Sequence, residues 1–389
     1  MSPLNGLKVV ELARVLAGPW IGQTLADLGA DVIKVEAPEG DDTRRWGPPF
    51  VRGRDGQPGD AAYFHCCNRG KRSVVADFRT APGRALVQDL ARRADVLIEN
   101  FKLGALSAHG LDYPALKALN PRLIYCSVTG FGQSGPYAAR AGYDLVIQGM
   151  GGLMDITGEA DGEPQKVGVA LADILTGIYG VVAVQAALTQ RERTGEGQQI
   201  DLALLDTLVG VLANQGLNYL VAGIAPERMG NAHPNIVPYQ TFAAADGTLS
   251  VAVGNDAQFQ RLCAVLNQTA LASDARFATN PGRVRHRGIL IPRLAAAIAA
   301  WRRDELLRAL EERQVPSGPV NSIAEVFADP QVLARGLRVD VPAPWAAGGS
   351  IPGIRTPIVF SASQLALGRP APRLGEHTEE VLRELSGGP

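Results

Sequence analysis

A single carboxylate stands in a long apolar stretch of the sequence and is the first candidate for chemistry. Asp173 is the only charged residue between Lys166 and Arg191, and its neighbours are mostly small or aliphatic. Because a long helix is predicted to begin here, Asp173 could cap the first backbone N–H groups of that helix. Alternatively, the helix N-terminus keeps a buried carboxylate ionised, and a poorly hydrated carboxylate can act as a nucleophile. The residues alone leave both interpretations open.

A glycine-rich loop offers a second candidate chemistry. The segment GFGQSG at 130–135 has the Gly-x-Gly-x-x-Gly spacing of a dinucleotide fingerprint and follows a predicted strand. Pro136 comes directly after it, no clean helix start follows, and this is not the first β–α turn, where the fingerprint belongs. The pattern favours a tight loop that lines some other ligand, and a nicotinamide-dependent oxidoreductase is kept as an alternative.

Other chemistry finds little support in the residues. Cys66 and Cys67 follow His65, but adjacency in the chain does not build a nucleophile–base pair, and we interpret these cysteines as structural. The sequence has no Gly-x-Ser-x-Gly elbow and no His-x-x-x-His pair, so we expect no metal site. The basic cluster NRGKRS at 68–73 could hold a phosphate group, whereas the arginine-rich stretch 276–313 is typical of solvated helical faces.

The composition is that of a soluble globular protein with ample core. The chain has 389 residues, of which 46% are hydrophobic and 20% charged. At roughly 100–200 residues per domain, this length predicts two or three domains. A net charge of −1 gives no field that would attract nucleic acid or an anionic membrane. Four cysteines without a disulfide framework, and a start without a leader pattern, favour a cytoplasmic protein.

Strands and helices alternate along the first half of the chain. Predicted strands at 7–12, 31–36, 95–100 and 122–130 alternate with helices that include 18–30 and 83–94, which indicates an α/β fold with a parallel sheet. Ligands bind such sheets at the carboxyl ends of the strands. We therefore expect the loops at 13–18, 37–45, 100–104 and 129–143 to lie near a site. We interpret the apolar segment 167–190 as a buried helix rather than a membrane span.

Composition shifts divide the chain further. Residues 223–242 and the stretch from 341 are rich in proline and glycine, which is typical of crossovers between domains. We predict a large α/β domain at 1–222, a small domain at 223–340, and a C-terminal segment at 341–389 that returns to the large domain.

Taken together, many short segments resemble the family III CoA-transferases. They include RVLAGP (14–19), LGADVIKVEAPEGDDTRRWGPPF (28–50), NRGKRS (68–73), IENFKLGAL (98–106), NPRLIYCSVTGFGQSGP (120–136), AGYD (141–144), LADILTG (171–177), TGEGQQIDLALLD (194–206), GNAHPNIVPYQTF (230–242), VFADPQVLARG (326–336) and LGEHTEEVL (374–382). The resemblance spans nearly the whole chain in order. It implies a large Rossmann-like domain, a smaller α+β domain, and a homodimer whose two chains interlock.

The resemblance also implies a covalent mechanism. Asp173 falls on the catalytic aspartate of the family, which attacks the thioester of an acyl-CoA and forms a mixed anhydride. The released CoA then converts the anhydride into an aspartyl-CoA thioester, which an acceptor carboxylate resolves. On this reading CoA is part of the substrate, no cofactor is permanently bound, and the partners are acyl-CoA, small carboxylic acids and a second copy of the chain.

By the same resemblance, two sets of residues should surround Asp173. The CoA set is Val15, Leu16, Ala76, Arg79, Asn100, Phe101, Lys102, Arg140 and Tyr143, with Arg79 and Lys102 as phosphate partners and Lys71 and Arg72 as second choices. The substrate set is Arg14, Arg45, Gly230, Asn231 and His233, with Arg44 and Arg228 as further candidates for a distal carboxylate.

Two departures from the family pattern reduce the number of activities that the sequence favours. Leu16 stands where the formyl-CoA transferases have glutamine, which disfavours a formyl or oxalate substrate. Tyr143 stands where the related acyl-CoA racemases have the histidine of an AGHD motif, and Asp173 alone cannot easily run a two-base racemisation, which is kept as an alternative. The motifs favour a succinyl-CoA donor and a dicarboxylate acceptor such as glutarate.

Overall fold

The computed structural model describes residues 1–387 of the chain, which form two compact units. The first unit comprises Met1–Leu153, Lys166–Ala222 and Pro330–Pro389, and the second comprises Met154–Gln165 and Gly223–Asp329. The long segment of the second unit thus spans 223–329, where the sequence predicts a small domain at 223–340. The second unit also includes the segment 154–165, which the sequence predicts to be part of the large domain.

The secondary-structure elements have the following bounds. The strands are β1 (Lys8–Glu11), β2 (Asp31–Glu36), β3 (Phe50–Arg52), β4 (Pro58–Ala61), β5 (Arg72–Val75), β6 (Val96–Glu99), β7 (Ile124–Thr129), β8 (Gln199–Ala203), β9 (Tyr239–Ala244), β10 (Gly247–Ala252), β11 (Ser317–Pro319), β12 (Arg338–Pro342) and β13 (Ser350–Ile354). The α-helices are α1 (Ala17–Asp27), α2 (Ala62–His65), α3 (Ala81–Arg93), α4 (Tyr113–Leu119), α5 (Asp144–Met150), α6 (Leu171–Thr194), α7 (Leu204–Gly210), α8 (Ala213–Ala222), α9 (Asp256–Val265), α10 (Thr269–Ser273), α11 (Asn280–Arg285), α12 (Arg287–Ala299), α13 (Arg303–Glu312), α14 (Ile323–Ala328), α15 (Pro330–Ala334) and α16 (Thr378–Leu385). Short 3-10 helices lie at Asp42–Arg45 and Ser107–His109.

A six-stranded sheet organises the first unit. Its strand order is β5–β2–β1–β6–β7–β8, and every neighbouring pair is parallel. The prediction of an α/β fold with a parallel sheet is therefore confirmed. From β1 the chain proceeds outward through β2 to β5, and it then returns to β6 and proceeds the other way. The carboxyl ends of β1 and β6 thus flank a topological switch point, where such sheets bind their ligands.

Helices cover both faces of this sheet because its strands are apolar on both sides. On one face α1 and α6 pack on the core through residues such as Ile21, Leu25 and Val184, which are completely buried. On the other face α3 contributes Val87 and Leu90. The long helix α6 meets the length and hydropathy of a membrane span. One face of it packs in this core, but only 39% of its apolar window is buried, so the prediction of a buried helix holds for that face alone.

Glycines let α1 and α6 approach closely. A Cβ atom on Gly177 of α6 would lie 2.9 Å from the Cβ of Trp20 and 3.1 Å from the carbonyl oxygen of Ala17. Both neighbours belong to the first turn of α1 or lie next to it. This contact brings the start of α6, and with it Asp173, beside the start of α1.

Replacing Gly177 by alanine is expected to destabilise the protein. The added methyl group has no room, and overpacking of this kind costs about 1–3 kcal/mol. Gly288, near the start of α12, has open space around its Cα atom, so Gly288→Ala is a matched control that should stabilise by about 0.5–1 kcal/mol. Urea unfolding at one protein concentration measures both changes, and equal effects of the two substitutions would contradict the close helix contact.

The second unit is an α+β structure with its own core. Strands β11, β10 and β9 form an antiparallel sheet, with Leu249 of β10 opposite Phe242 of β9. Helices α9, α12 and α13 pack on this sheet through buried leucines and phenylalanines. The buried Arg283 donates to the carbonyl of Val237 at 2.7 Å and pairs with Asp256 at 2.8 Å.

Candidate active site

A cavity of about 340 Å³ opens at the switch point of the parallel sheet. It lies between the loop that follows β1 and the loop that follows β6, and the loop after β7 and the start of α6 complete its wall. Asp173 lines this cavity together with eight of the other residues predicted for the site. These are Arg14, Val15, Leu16, Asn100, Phe101, Lys102, Arg140 and Tyr143.

Asp173 does not cap its helix. It is the third residue of α6, whose N-cap position is Ala170. The capping carboxylate comes instead from Asp144 at the start of α5, whose Oδ1 accepts from the backbone N–H of Ala172 at 2.8 Å and of Asp173 at 3.4 Å. The capping interpretation of Asp173 is therefore wrong, and its carboxyl group is left to face the cavity.

Asp144 is itself held in place by a buried amide. The side-chain nitrogen of Gln148 donates to Oδ2 of Asp144 at 2.7 Å, and its oxygen accepts from the backbone N–H of Val167 at 2.9 Å. Gln148 is completely buried. The two side chains thus join α5 to the chain that leads into α6, and they fix the first turn of α6.

The electrostatic state of Asp173 differs from the expectation. Burial, and then the negative charge of Asp144, raise the pKa of Asp173 to about 7. The sequence predicts that the helix N-terminus keeps this group ionised, but two N–H groups of the first turn, those of Ala172 and Asp173, donate to Asp144 instead. A carboxyl group with a pKa near 7 is more basic than an ordinary aspartate and still about half ionised at neutral pH.

Tyr63 of α2 is a neighbour that the sequence did not reveal. Burial raises the pKa of its phenol, and the charge of Asp173 is the next cause in size. The Tyr63 hydroxyl therefore stays protonated and can act only as a neutral hydrogen-bond donor or acceptor. Trp46 packs edge-on against its ring, with 5.3 Å between the ring centroids.

Three cationic side chains line the same cavity. Arg14, Lys102 and Arg140 are all exposed, and each is therefore accessible to a charged ligand. Arg14 pairs with Asp42 at 3.2 Å in an exposed contact, and the guanidinium of Arg140 lies over the ring of Tyr137. Guanidinium and ammonium groups are the usual protein partners of phosphates and carboxylates.

Two residues predicted to contact CoA lie outside this cavity. Ala76 follows β5, is buried, and donates its N–H to the carbonyl of Glu36 at 2.8 Å. Arg79 is exposed and pairs with Asp77 at 2.8 Å. Both lie beyond the outer strand of the sheet rather than at the switch point.

Lys71 and Arg72, the second choices as phosphate partners, are not available to a ligand because each is buried in an ion pair with a carboxylate. Lys71 is completely buried and pairs with Glu11 at 2.8 Å. Arg72 is also buried and pairs with Asp31 at 2.5 Å and with Glu384 at 2.7 Å. The cluster NRGKRS is therefore a set of structural ion pairs.

The arginines predicted to bind the distal carboxylate of the acid also differ in whether they can reach a ligand. Arg44 is buried between Glu36 and Asp60, at 2.6 Å from each, and is structural. Arg45 is exposed, but it lines a different cavity, of about 940 Å³, and donates to the carbonyl of Glu39 at 2.7 Å. Arg14 alone of the predicted arginines in this set shares the cavity of Asp173.

The remaining predicted residues belong to the second unit. Gly230 adopts a left-handed backbone and donates to the carbonyl of Gly158 at 3.0 Å. The side chain of Asn231 donates to the hydroxyl of Thr241 at 3.1 Å. The Nδ1 atom of His233 accepts from the backbone N–H of Asn235 at 3.0 Å. Arg228 donates to the carbonyl of Gly162 at 3.1 Å and pairs with Asp155 at 3.4 Å.

The glycine-rich loop 130–135 does not build a dinucleotide site. The N–H of Gly132 donates to the hydroxyl of Thr129, and the N–H of Gln133 donates to the carboxylate of Asp201, both at 2.9 Å. The next helix, α5, begins only at Asp144. The loop folds on itself and contributes Gly130 to the cavity wall. Within residues 1–387 no group of three metal-ligating side chains is close enough to hold an ion.

Comparison with known proteins identifies the class. The family model described as CoA-transferase family III matches residues 4–378. The chain belongs to this family and is a CoA-transferase.

Individual relatives agree over nearly the full length. A succinate–glutarate CoA-transferase of Agrobacterium fabrum is 60% identical over 98% of this chain and 96% of its own. A succinyl-CoA:mesaconate CoA-transferase of Haloarcula hispanica is 39% identical over 100% of this chain and 98% of its own. The crystal structure of a CAIB/BAIF family protein from Brucella suis is 60% identical, covers 99% of both chains and superposes with a TM-score of 0.88.

Proposed function

We propose that this enzyme transfers CoA from succinyl-CoA to a dicarboxylate such as glutarate, with Asp173 as the covalent nucleophile. The single observation that carries the proposal is the position of Asp173, which lines the cavity at the switch point in company with Arg14, Lys102 and Arg140. The names of the relatives support the donor and the acceptor.

The reaction would proceed through four successive acyl exchanges, all of which involve the carboxyl group of Asp173. The Asp173 carboxylate attacks the thioester carbon of succinyl-CoA, the C–S bond breaks, and CoA leaves as the thiolate. That thiolate attacks the aspartyl carbonyl of the mixed anhydride, which releases succinate and leaves an aspartyl-CoA thioester. Glutarate then attacks the aspartyl carbonyl of this thioester, the C–S bond breaks, and CoA leaves again as the thiolate while a second mixed anhydride forms. The thiolate attacks the glutaryl carbonyl of that anhydride, which gives glutaryl-CoA and releases the Asp173 carboxylate.

Positioning of the reactants and their removal from water lower the activation barriers of these steps. Holding a carboxylate against a bound thioester makes the attack effectively intramolecular, which contributes about 7–11 kcal/mol. The apolar surround of Asp173 strengthens it as a nucleophile and limits hydrolysis of the anhydride. The pKa near 7 leaves enough carboxylate for attack at neutral pH.

The other lining residues have separate tasks in this proposal. Val15, Leu16, Asn100, Phe101 and Tyr143 form the wall that receives the CoA chain. Lys102 and Arg140 pair with its phosphates, and Arg14 takes the distal carboxylate of the acid. No cofactor besides the CoA of the substrate is needed, because every bond change occurs at acyl carbon.

The proposed activity is tested with purified protein, succinyl-CoA and a panel of acids. Glutarate should yield glutaryl-CoA and free succinate, measured by mass spectrometry of the CoA esters. Arg14→Gln should raise the KM for glutarate at least about tenfold, because a charged hydrogen bond is lost, and should leave the KM for a monocarboxylate unchanged. Transfer to monocarboxylates but not to dicarboxylates would overturn the assignment of the acceptor.

We further propose that the enzyme works as an interlocked homodimer in the cytoplasm. Helix α8 has no buried residue and exposes Leu217, Leu220 and Val221, while α6 exposes Ile178 and Val182. Apolar surface of this extent is typical of an interface, and a second copy would cover it. The four cysteines are free, as expected in a reducing compartment.

The oligomer has a direct test. Light scattering should give twice the chain mass of 41.1 kDa, and dilution should not dissociate the dimer before it unfolds, since interlocked chains cannot separate while folded. A monomer at micromolar concentration would contradict the proposal. Leu220→Asp should weaken assembly of the dimer, because a carboxylate would be buried in the interface, whereas Arg302→Asp at an exposed charged position of the second unit should not.

A further inference from the structure

A buried ion pair lies beneath the turn that follows β1, and the proposed reaction does not use it. Lys34 of β2 is completely buried and Asp41 is 1% exposed. The Nζ atom of Lys34 lies 2.9 Å from Oδ2 of Asp41 and 3.2 Å from Oε1 of Glu11. Burying charges this deeply costs free energy, and the contacts that Lys34 and Asp41 make indicate what the pair does.

Both partners of the pair bind the backbone of the turn directly. Lys34 donates to the carbonyl of Ala13 at 2.8 Å. The N–H of Val15 donates to the two carboxylate oxygens of Asp41 at 3.3 and 3.4 Å. Between these points Asn100 holds Arg14, accepting from its N–H at 2.8 Å and donating to its carbonyl at 2.6 Å.

The turn needs this support because Val15 has a strained backbone. Its φ angle is +72°, in the left-handed region, which is a genuine outlier for a β-branched residue. Such strain persists only where the surroundings determine the conformation, and it is concentrated at functional sites. Val15 and Leu16 line the cavity of Asp173, so the strained turn shapes the wall that meets the donor.

We propose that Asp41, fixed by Lys34, is a positioning residue that holds the Val15 turn in its strained form and so preorganises the cavity for the acyl-CoA donor. This inference rests on the proposed function, because it assigns the turn to CoA binding. Thr43 assists, since its N–H and its hydroxyl donate to Oδ1 of Asp41 at 3.0 and 2.8 Å. Neither Asp41 nor Thr43 lines the cavity, so their effect reaches the donor through the backbone of Val15.

The test compares KM and kcat, because a residue that positions the donor-binding wall changes the KM for succinyl-CoA more than it changes kcat. Asp41→Asn keeps the size of the side chain but removes its charge. It should raise the KM for succinyl-CoA about tenfold and change kcat less than threefold. Thr43→Val, a milder change, should raise the same KM about threefold, and it carries the test if Asp41→Asn does not fold.

Each outcome decides the matter. A lower melting temperature with an unchanged KM for succinyl-CoA in Asp41→Asn or in Thr43→Val would show a purely structural network and overturn the inference. Calorimetry with CoA alone distinguishes failure of this inference from failure of the proposed function. If the wild type binds no CoA, the proposed function is wrong and this assignment falls with it; if CoA binds normally to every variant, only the assignment of Asp41 is wrong.

Discussion

Asp173→Asn is expected to lower kcat for CoA transfer by about 10³-fold or more, because removal of a covalent nucleophile leaves only binding and orientation. Asparagine has the size of aspartate, so the cavity keeps its shape, and CoA should bind with little change in affinity. Steady-state transfer from succinyl-CoA, together with calorimetry of CoA binding, measures the two effects separately.

Asp206 provides a matched control for this substitution. It is also the third residue of its helix, α7, and it is exposed and outside the cavity. Asp206→Asn should leave kcat within about twofold, since surface substitutions have small effects. If both variants lost activity equally, the loss would come from disturbed helix N-termini and would not show that Asp173 is the nucleophile.

The second large effect concerns pH and Asp144. The reacting form of Asp173 is its carboxylate and its pKa is about 7, so kcat/KM should rise with pH through about 7 and level off above it. Asp144→Asn removes the nearby negative charge but keeps an oxygen that accepts from the N–H of Ala172. The midpoint of the profile should therefore move to lower pH by roughly one unit, as expected for the loss of a like charge.

A second variant separates the charge of Asp144 from its capping role. Asp144→Ala removes both, and loss of an N-cap costs about 1 kcal/mol of helix stability. It should shift the pH midpoint in the same direction, but with a lower kcat and a lower melting temperature. A profile that stays at the wild-type midpoint in Asp144→Asn would contradict the electrostatic coupling of the two carboxylates.

The same pKa links activity to stability. In the unfolded chain Asp173 has an ordinary pKa near 4, whereas in the folded chain the pKa is raised to about 7. Between these values the folded state binds more protons, so the contribution of this group to stability falls as the pH rises. The inactive Asp173→Asn variant should therefore melt at a higher temperature than the wild type at pH 8.

The sequence predicts the sheet well because its signals are local. Runs of valine and isoleucine such as 31–36 end at turn residues, and the observed strand β2 has these bounds. Asp173 could be found because a lone charge in an apolar stretch is itself a local signal. Its chemical state could not, since Asp144 reaches it only through the packing of α5 against α6.

Charged residues illustrate the limit of sequence reasoning most clearly. Lys71, Arg72 and Arg44 look like ligand-binding cations in the sequence, but each is buried against carboxylates that are distant in the chain, such as Glu11 and Glu384. A sequence shows where charges are and not which partners the fold gives them. The segment 154–165 belongs to the second unit for the same reason, because its contacts with that unit are tertiary.

The covalent role of Asp173 can be tested by trapping. The wild-type enzyme is mixed with succinyl-CoA without an acceptor acid, quenched with hydroxylamine, and digested for peptide mass spectrometry. An activated aspartyl group should be converted to a hydroxamate at Asp173, and the label should be absent from Asp173→Asn. A wild-type enzyme that turns over while Asp173 stays unlabelled, or a label on another carboxyl group, would contradict the mechanism.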